Sequence, residues 1–321
     1  MIEINDLTKQ FGEILAVDHI NLSINDGEVF GFLGPNGAGK TTTIRMLSCL
    51  LKPTLGTALI NGYDILLDSM KIRKIIGVLT ENPSIYERLT ARYNLEFFGK
   101  LYEVPNDVLN KRIDELLNIF DLIDRADDKV STFSKGMKQK LSIARTLVHN
   151  PEILFLDEPT AGLDPKASKD LRDYIKKLSK ERNITIFLCS HNLTEAEYLC
   201  DRIAVINNGR IISEGTPKEL SRKLWSYERT EVKLAENYLN KISDPNILIN
   251  EIKSISGVDE CYFEDSTLKI FLESAEKINP EIIRKLISLD LDLIEVKVIG
   301  HSLEDIYLSL ITDESKSSLK I

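Results

Sequence analysis

The chain is poor in the residues that mark secreted or metal-bound scaffolds. Its four cysteines, Cys49, Cys189, Cys200 and Cys261, form no C-x-x-C pair, which argues against a disulfide framework or a zinc cluster and for reduced thiols. No apolar run approaches the roughly 18 residues of a membrane span; the longest blocks, such as Ile153-Leu154-Phe155-Leu156, are strand-sized. The start, Met1-Ile2-Glu3-Ile4, lacks the apolar stretch of a signal peptide. The expectation is a cytoplasmic chain that is neither secreted nor itself a pore. A basic surplus is also missing: the net charge is −9, whereas nucleic-acid binders usually carry excess Lys and Arg, so no nucleic-acid partner is expected. At 321 residues, with 43% apolar and 28% charged side chains, two domains with buried cores are expected.

What is present centres on Gly34-Pro35-Asn36-Gly37-Ala38-Gly39-Lys40-Thr41-Thr42, which fits G-x-x-x-x-G-K-[ST]. Val29, Phe30, Phe32 and Leu33 lead in as a buried strand, and Ile44, Leu47 and Leu51 follow at helical spacing. A triphosphate needs donors on every oxygen. Glycines let backbone N–H groups curl inward, and the following helix N-terminus adds a positive dipole end. Lys40 brings a charge to the β- and γ-phosphates, Thr41 a hydroxyl for Mg²⁺, and Thr42 reaches the α-phosphate. A second signal is the apolar strand Ile153–Leu156 ending in Asp157-Glu158. Strand ends in such sheets line the ligand crevice, so Asp157 is placed to hold Mg²⁺ and Glu158 to polarise the attacking water.

The remaining pattern is alternating. Ile2–Leu7 and Val17–Ile24 read as strands with Phe11 between them, and Ala58–Asn61 and Ile75–Leu79 as further short strands. Helices are expected from Thr90 to about Tyr102, from an Asn106 cap through Phe120, and from Ser134 to Val148. Then come a helix at Ala167–Leu178, a strand at Ile184–Leu188, a helix at Leu193–Leu199 and a hairpin about Asn208-Gly209. Strand–helix alternation predicts an α/β fold with a parallel sheet, an antiparallel N-terminal sheet and a helical insertion at about 89–148. Ser134 opens a helix, and helix N-termini attract anions. If that end and the phosphate loop both face outward on one rigid body, closing over ATP takes two copies, head to tail.

The loop 34–42, Phe133-Ser134-Lys135-Gly136-Met137, Asp157-Glu158-Pro159-Thr160-Ala161-Gly162-Leu163-Asp164, and His191 occur in one order. Together they resemble the nucleotide-binding cassette of an ABC transporter, over about Ile2 to Leu220. The resemblance implies a P-loop NTPase cassette (mixed sheet core, antiparallel β subdomain, helical subdomain) that hydrolyses ATP with Mg²⁺. It implies that Phe11 stacks on adenine, and that Glu81 occupies the place of a glutamine that reaches Mg²⁺ and the membrane partner. Ser134 and Gly136 then bind the γ-phosphate of the opposite protomer, Asp164 joins the two sites and His191 contacts the γ-phosphate. Two positions depart from the family pattern: Glu81 replaces the glutamine, and Lys135 stands where glycine is usual, which is expected to strengthen γ-phosphate attraction. The implied partners are a second copy and a separately encoded membrane permease of an export system, docking near Glu81 to Phe98 at the inner face of the membrane. A soluble ATP-driven regulator is the alternative; one phosphate loop and no sustained heptads weigh against it.

Residues 1–222 are thus expected to form the cassette and 228–321 an accessory domain. In the latter, the order strand (Thr230–Leu234), helix (Ile247–Ile255), strand (Val258–Phe263), strand (Leu268–Leu272), helix (Glu281–Leu289), strand (Leu293–Val298) resembles a small ferredoxin-like α+β unit. A last helix opens at Ser302-Leu303-Glu304-Asp305.

Overall fold

Strand β3 (Val29–Leu33) is buried at every position, as its apolar run requires of a strand covered on both faces. It pairs in parallel with β8 (Thr185–Ser190) and β9 (Arg202–Asn207). Outward from β8 lie β7 (Ile153–Asp157) and β6 (Ile76–Leu79), both parallel, and β10 (Arg210–Gly215) closes the other edge antiparallel to β9. The structure is a computed structural model describing residues 1–80, 85–225, 227–235, 244–264, 266–300 and 302–318, the stretch 312–318 as main chain only.

Period-two alternation splits the sheet's side chains between two cores. Val29, Leu154, Leu156, Ile186 and Leu188 face one side. They meet α5 (Lys135–Leu147), α6 (Pro165–Arg182) and the helical insertion, α3 (Ala91–Leu101) and α4 (Asn106–Ile119). Phe30, Phe32, Phe155, Phe187 and Cys189 face the other side, against α1 (Lys40–Leu47) and a four-stranded antiparallel sheet. Phe187 is the hub there, its ring 5.2–6.0 Å from those of Phe30, Phe32 and Phe155. The antiparallel sheet runs β2-β1-β4-β5, from β1 (Ile2–Phe11), β2 (Ile14–Ile24), β4 (Leu55–Ile60) and β5 (Tyr63–Asp64). Two short helices, α2 (Ser69–Ile75) and α7 (Leu193–Leu199), complete this part.

Several boundaries differ from the sequence expectation for local reasons. Phe11 ends β1 instead of lying between strands, because Gly12, at φ 57°, makes the turn. Asn106 is the first residue of α4, not its cap; Pro105 holds the cap position without a side-chain bond. Helix α6 starts at Pro165 because the Asp164 carboxylate accepts the Ala167 N–H at 2.9 Å, a cap hidden in the Asp-Pro pair.

Contacts divide the chain into Met1–Thr216 and Pro217–Ile321. The second unit holds α8 (Pro217–Leu224), β11 (Glu228–Leu234), α9 (Pro245–Lys253), β12 (Val258–Glu264), β13 (Thr267–Leu272), α10 (Ala275–Ser288), β14 (Leu293–Ile299) and α11 (Leu303–Ser318). Its strands lie in the order β12-β13-β11-β14 with antiparallel neighbours, the split βαβ arrangement of a ferredoxin-like sheet. Helix α10 begins six residues before the expected Glu281, since Pro280 is carried inside it. Buried Leu248, Ile252, Leu268, Ile270, Ile282 and Leu286 build a separate core.

Candidate functional site

The phosphate loop is shaped by what presses on it. A Cβ on Gly34 would meet the Ile206 carbonyl at 2.2 Å, and one on Gly39 the Ala16 carbonyl at 2.5 Å. Both sites therefore exclude any side chain, and Gly37 and Gly39 also take φ of 81° and 109°. The turn at Gly209 props the loop from outside: its N–H donates to the Ala38 carbonyl, and its carbonyl accepts from Asp18 N–H. Asp18 is fixed by Arg210 and by His19, whose hydrogen bonds hold its carboxyl below the usual range. Lys40, only 7% exposed, donates to the carbonyls of Gly34 and Pro35 at 2.6 and 3.0 Å.

Loop and acidic strand end meet. Thr41 Oγ1 donates to Asp157 Oδ2 at 2.8 Å. These are hard oxygen donors side by side, the donor type that Mg²⁺ takes from a protein before completing its shell with phosphates and water. Among the described residues, no three His, Cys, Asp or Glu side chains form an all-protein metal cage. Glu158 sits at φ 51°, a left-handed backbone that a non-glycine residue adopts only under constraint. Its Oε1 accepts the His191 main-chain N–H at 2.9 Å and lies 2.6 Å from His191 Nδ1. The ring itself is mostly exposed.

A supporting group was not legible in the sequence. Ser190 Oγ lies 2.8 Å from Glu195 Oε2 and 3.4 Å from Glu158 Oε2, and accepts the Asn192 N–H. Glu195 is buried, and burial pushes its carboxyl up despite hydrogen bonds from Ser190 and Thr160. Asn192 caps α7 and accepts the Glu195 N–H at 3.1 Å, a cap the sequence pattern did not single out.

One cavity of about 420 Å³ is lined by Ala16, Asn36, Gly37, Gly39, Lys40, Thr41, Thr42, Asp157, Glu158, Ala161 and His191. Nine of these were expected; Ala16 and Ala161 enter only through tertiary packing. The cavity lining does not include Phe11, which is 47% exposed with Lys9 Nζ 5.0 Å from its ring centre. Nor does it include Ser134, Lys135, Gly136 or Asp164. Ser134 Oγ accepts from Met137 N–H and caps α5; the Lys135 stem lies over Gly162, within 2.5 Å of where a Cβ would stand. The amide of Ala167 holds the Asp164 carboxyl below the usual range. Glu81 lies outside the described residues.

A parallel sheet with a glycine loop, buried lysine and paired acids at its strand ends defines a P-loop ATP-hydrolysing cassette. Residues 17–161 match the ABC transporter family model. The chain is 38% identical over 316 residues to the bacitracin transport ATP-binding protein BcrA of Bacillus licheniformis, covering 97% of both. It is 34% identical over 312 residues to the linearmycin resistance ATP-binding protein LnrL of Bacillus subtilis, covering 97% of this chain and 98% of that one. A dimeric ATP-binding cassette solved in a post-hydrolysis state with ADP and Pi superposes with a TM-score of 0.63 at 30% identity, over 67% of this chain and 98% of that one. The chain belongs to the ABC transporter family, as an ATP-binding, ATP-hydrolysing protein.

Proposed function

We propose that two copies close head to tail around two Mg-ATP and thereby drive a separately encoded membrane permease, in an export system. The observation that carries this reading is the division of the predicted site. Lys40, Thr41, Asp157, Glu158 and His191 share one cavity, whereas the N-terminus of α5 with Ser134 and Gly136 does not line it. A second copy supplies the missing half, with Lys135 adding positive charge.

In this reading the loop amides and Lys40 bind the phosphates, and Thr41 and Asp157 would hold Mg²⁺, which neutralises phosphate charge when bound. Glu158 accepts a proton from water. His191, with Nδ1 engaged by Glu158, has Nε2 left to meet the γ-phosphate. Phe11 offers adenine an exposed face, and Asp164 steadies the loop between the two sites.

Among the described residues no helix is long and apolar enough to cross a membrane, so the pore is assigned to another chain. The docking surface is placed on exposed Tyr86, Tyr93 and Phe97. Tyr86, Phe97 and Phe98 form an aromatic cluster with centroids 5.2–5.9 Å apart, and buried Asn94 pins the Tyr86 backbone in both directions. The partner holds the chain at the inner membrane face. The export direction is supported by the bacitracin transport and linearmycin resistance relatives.

The test is sedimentation of Glu158→Gln with and without Mg-ATP, beside phosphate release. Turnover should fall by about two to three orders of magnitude, while ATP binding persists and dimers accumulate. Lys40→Ala should bind ATP weakly and stay unchanged on adding it. In a variant that is monomeric without nucleotide, an ATP-loaded Glu158→Gln that sediments as the nucleotide-free protein does would rule out the sandwich.

A further inference from the structure

The C-terminal sheet ends on a strand whose sequence mirrors itself. In the order β12-β13-β11-β14, β14 is an edge, paired on one side only among the described residues. It reads Leu-Ile-Glu-Val-Lys-Val-Ile. Its register sets Val296 opposite Val232 and Val298 opposite Thr230. Those two partners are fully buried, yet Val296 and Val298 are 36% and 51% exposed, and Ile294 61%. Uncovered apolar edges invite pairing with another chain, and folded proteins usually blunt them with charge.

The charges on this edge do not blunt it against its own copy. An antiparallel copy turned about Val296 sets Glu295 opposite the other Lys297, and Lys297 opposite the other Glu295. Ile294 then meets Val298 and Leu293 meets Ile299, so every cross-strand pair is either apolar or of opposite charge, the arrangement that favours pairing. A parallel copy in register would set like charges opposite each other instead. The one register shift on this strand falls between Lys233 and Leu234, at Ile294, and leaves the central Glu295–Lys297 stretch regular.

We propose that β14 is a self-pairing strand, through which two copies join their C-terminal units into one continuous antiparallel sheet without nucleotide. The partner is a second copy of this chain, and the contact is isologous. It is separate from the ATP-driven closure above: one contact holds the copies together while the other cycles.

The experiment is sedimentation of the full-length protein at micromolar concentration without nucleotide. Wild type should be dimeric. Glu295→Lys and Lys297→Glu should each weaken the dimer about tenfold or more, because both symmetric pairs become like-charged. Mixing the two variants should restore a dimer, since every pair then joins a cation to an anion, and the double variant should dimerise as wild type does. Val296→Cys should cross-link to itself under mild oxidation. A monomeric wild type, single variants that dimerise like wild type, or a mixture that stays monomeric would each overturn the proposal. Because nucleotide is absent, none of these results depends on the ATP sandwich; that contact is read separately in Glu158→Gln carrying Glu295→Lys, which should be monomeric without nucleotide and dimeric with Mg-ATP.

Discussion

Glycine 34 shows how one position can be fixed twice. The sequence pattern demands it as the first glycine of a phosphate loop; the fold demands it because Ile206 lies against it from β9. Gly34→Ala would drive a methyl into the Ile206 carbonyl and its Cγ2, at 2.2 and 2.9 Å. Overpacking of this kind costs about 1–3 kcal/mol. Urea unfolding should show that loss, and ATP affinity should fall with it because the loop must shift. Unchanged stability would mean that β9 yields freely. Glu158 is the counterpart on the acidic side. Its residue type was readable, but its left-handed backbone and its bond to the His191 N–H were not, since both arise where β7 and β8 end together.

At the scale of elements, His149 forms a joint between the helical insertion and the sheet. Its ring stacks on Tyr102 at a centroid distance of 3.7 Å, and its Nε2 lies 2.9 Å from the Ile76 carbonyl at the start of β6. Its Nδ1 is buried without a partner. Burial therefore lowers its pKa to about 4 from an ordinary 6.5, against the opposing effect of the Ile76 bond. The native state binds fewer protons than the unfolded chain between those values. Its stabilising effect is complete above pH 6.5 and fades as pH falls toward 4, by up to about 3 kcal/mol. Carboxylates titrate in the same range, so the measurement is a comparison of unfolding free energies for wild type and His149→Gln. The wild-type curve should drop more steeply between pH 6.5 and 4; parallel curves would remove His149 from the account.

The helices themselves were largely legible, because Thr90 and Ser134 are true caps, each accepting the N–H three residues on. Strand ends were less so. A pattern of alternating burial stops being readable where β1 and β2 run out to the exposed Phe11 and Ile14, since nothing there is buried to mark a face.

For the whole molecule, the two cores of the first unit share no residues with the core of the second, so the two units should melt as two transitions. Mg-ATP binds the cassette, so it should raise one transition and leave the other in place. At a hundredfold excess over the dissociation constant the gain is about 2.7 kcal/mol. Calorimetry with and without nucleotide reads this directly. A single transition that moves as one would show that the units unfold together, and Lys40→Ala should show no shift at all.

The sequence by itself determined the chemistry: a glycine loop, a lysine, a threonine and two acids after an apolar strand specify phosphate binding and water activation wherever the backbone brings them together. It also determined most of the succession of strands and helices, because period-two and period-3.6 patterns are local. The tertiary structure decided which groups share a cavity. It set Gly209 and Ala16 against the loop, sank Glu195 beside Ser190, and kept Ser134 out of the cavity that holds Lys40. Those outcomes depend on contacts between residues far apart in the chain, and no local pattern encodes a distance across a fold.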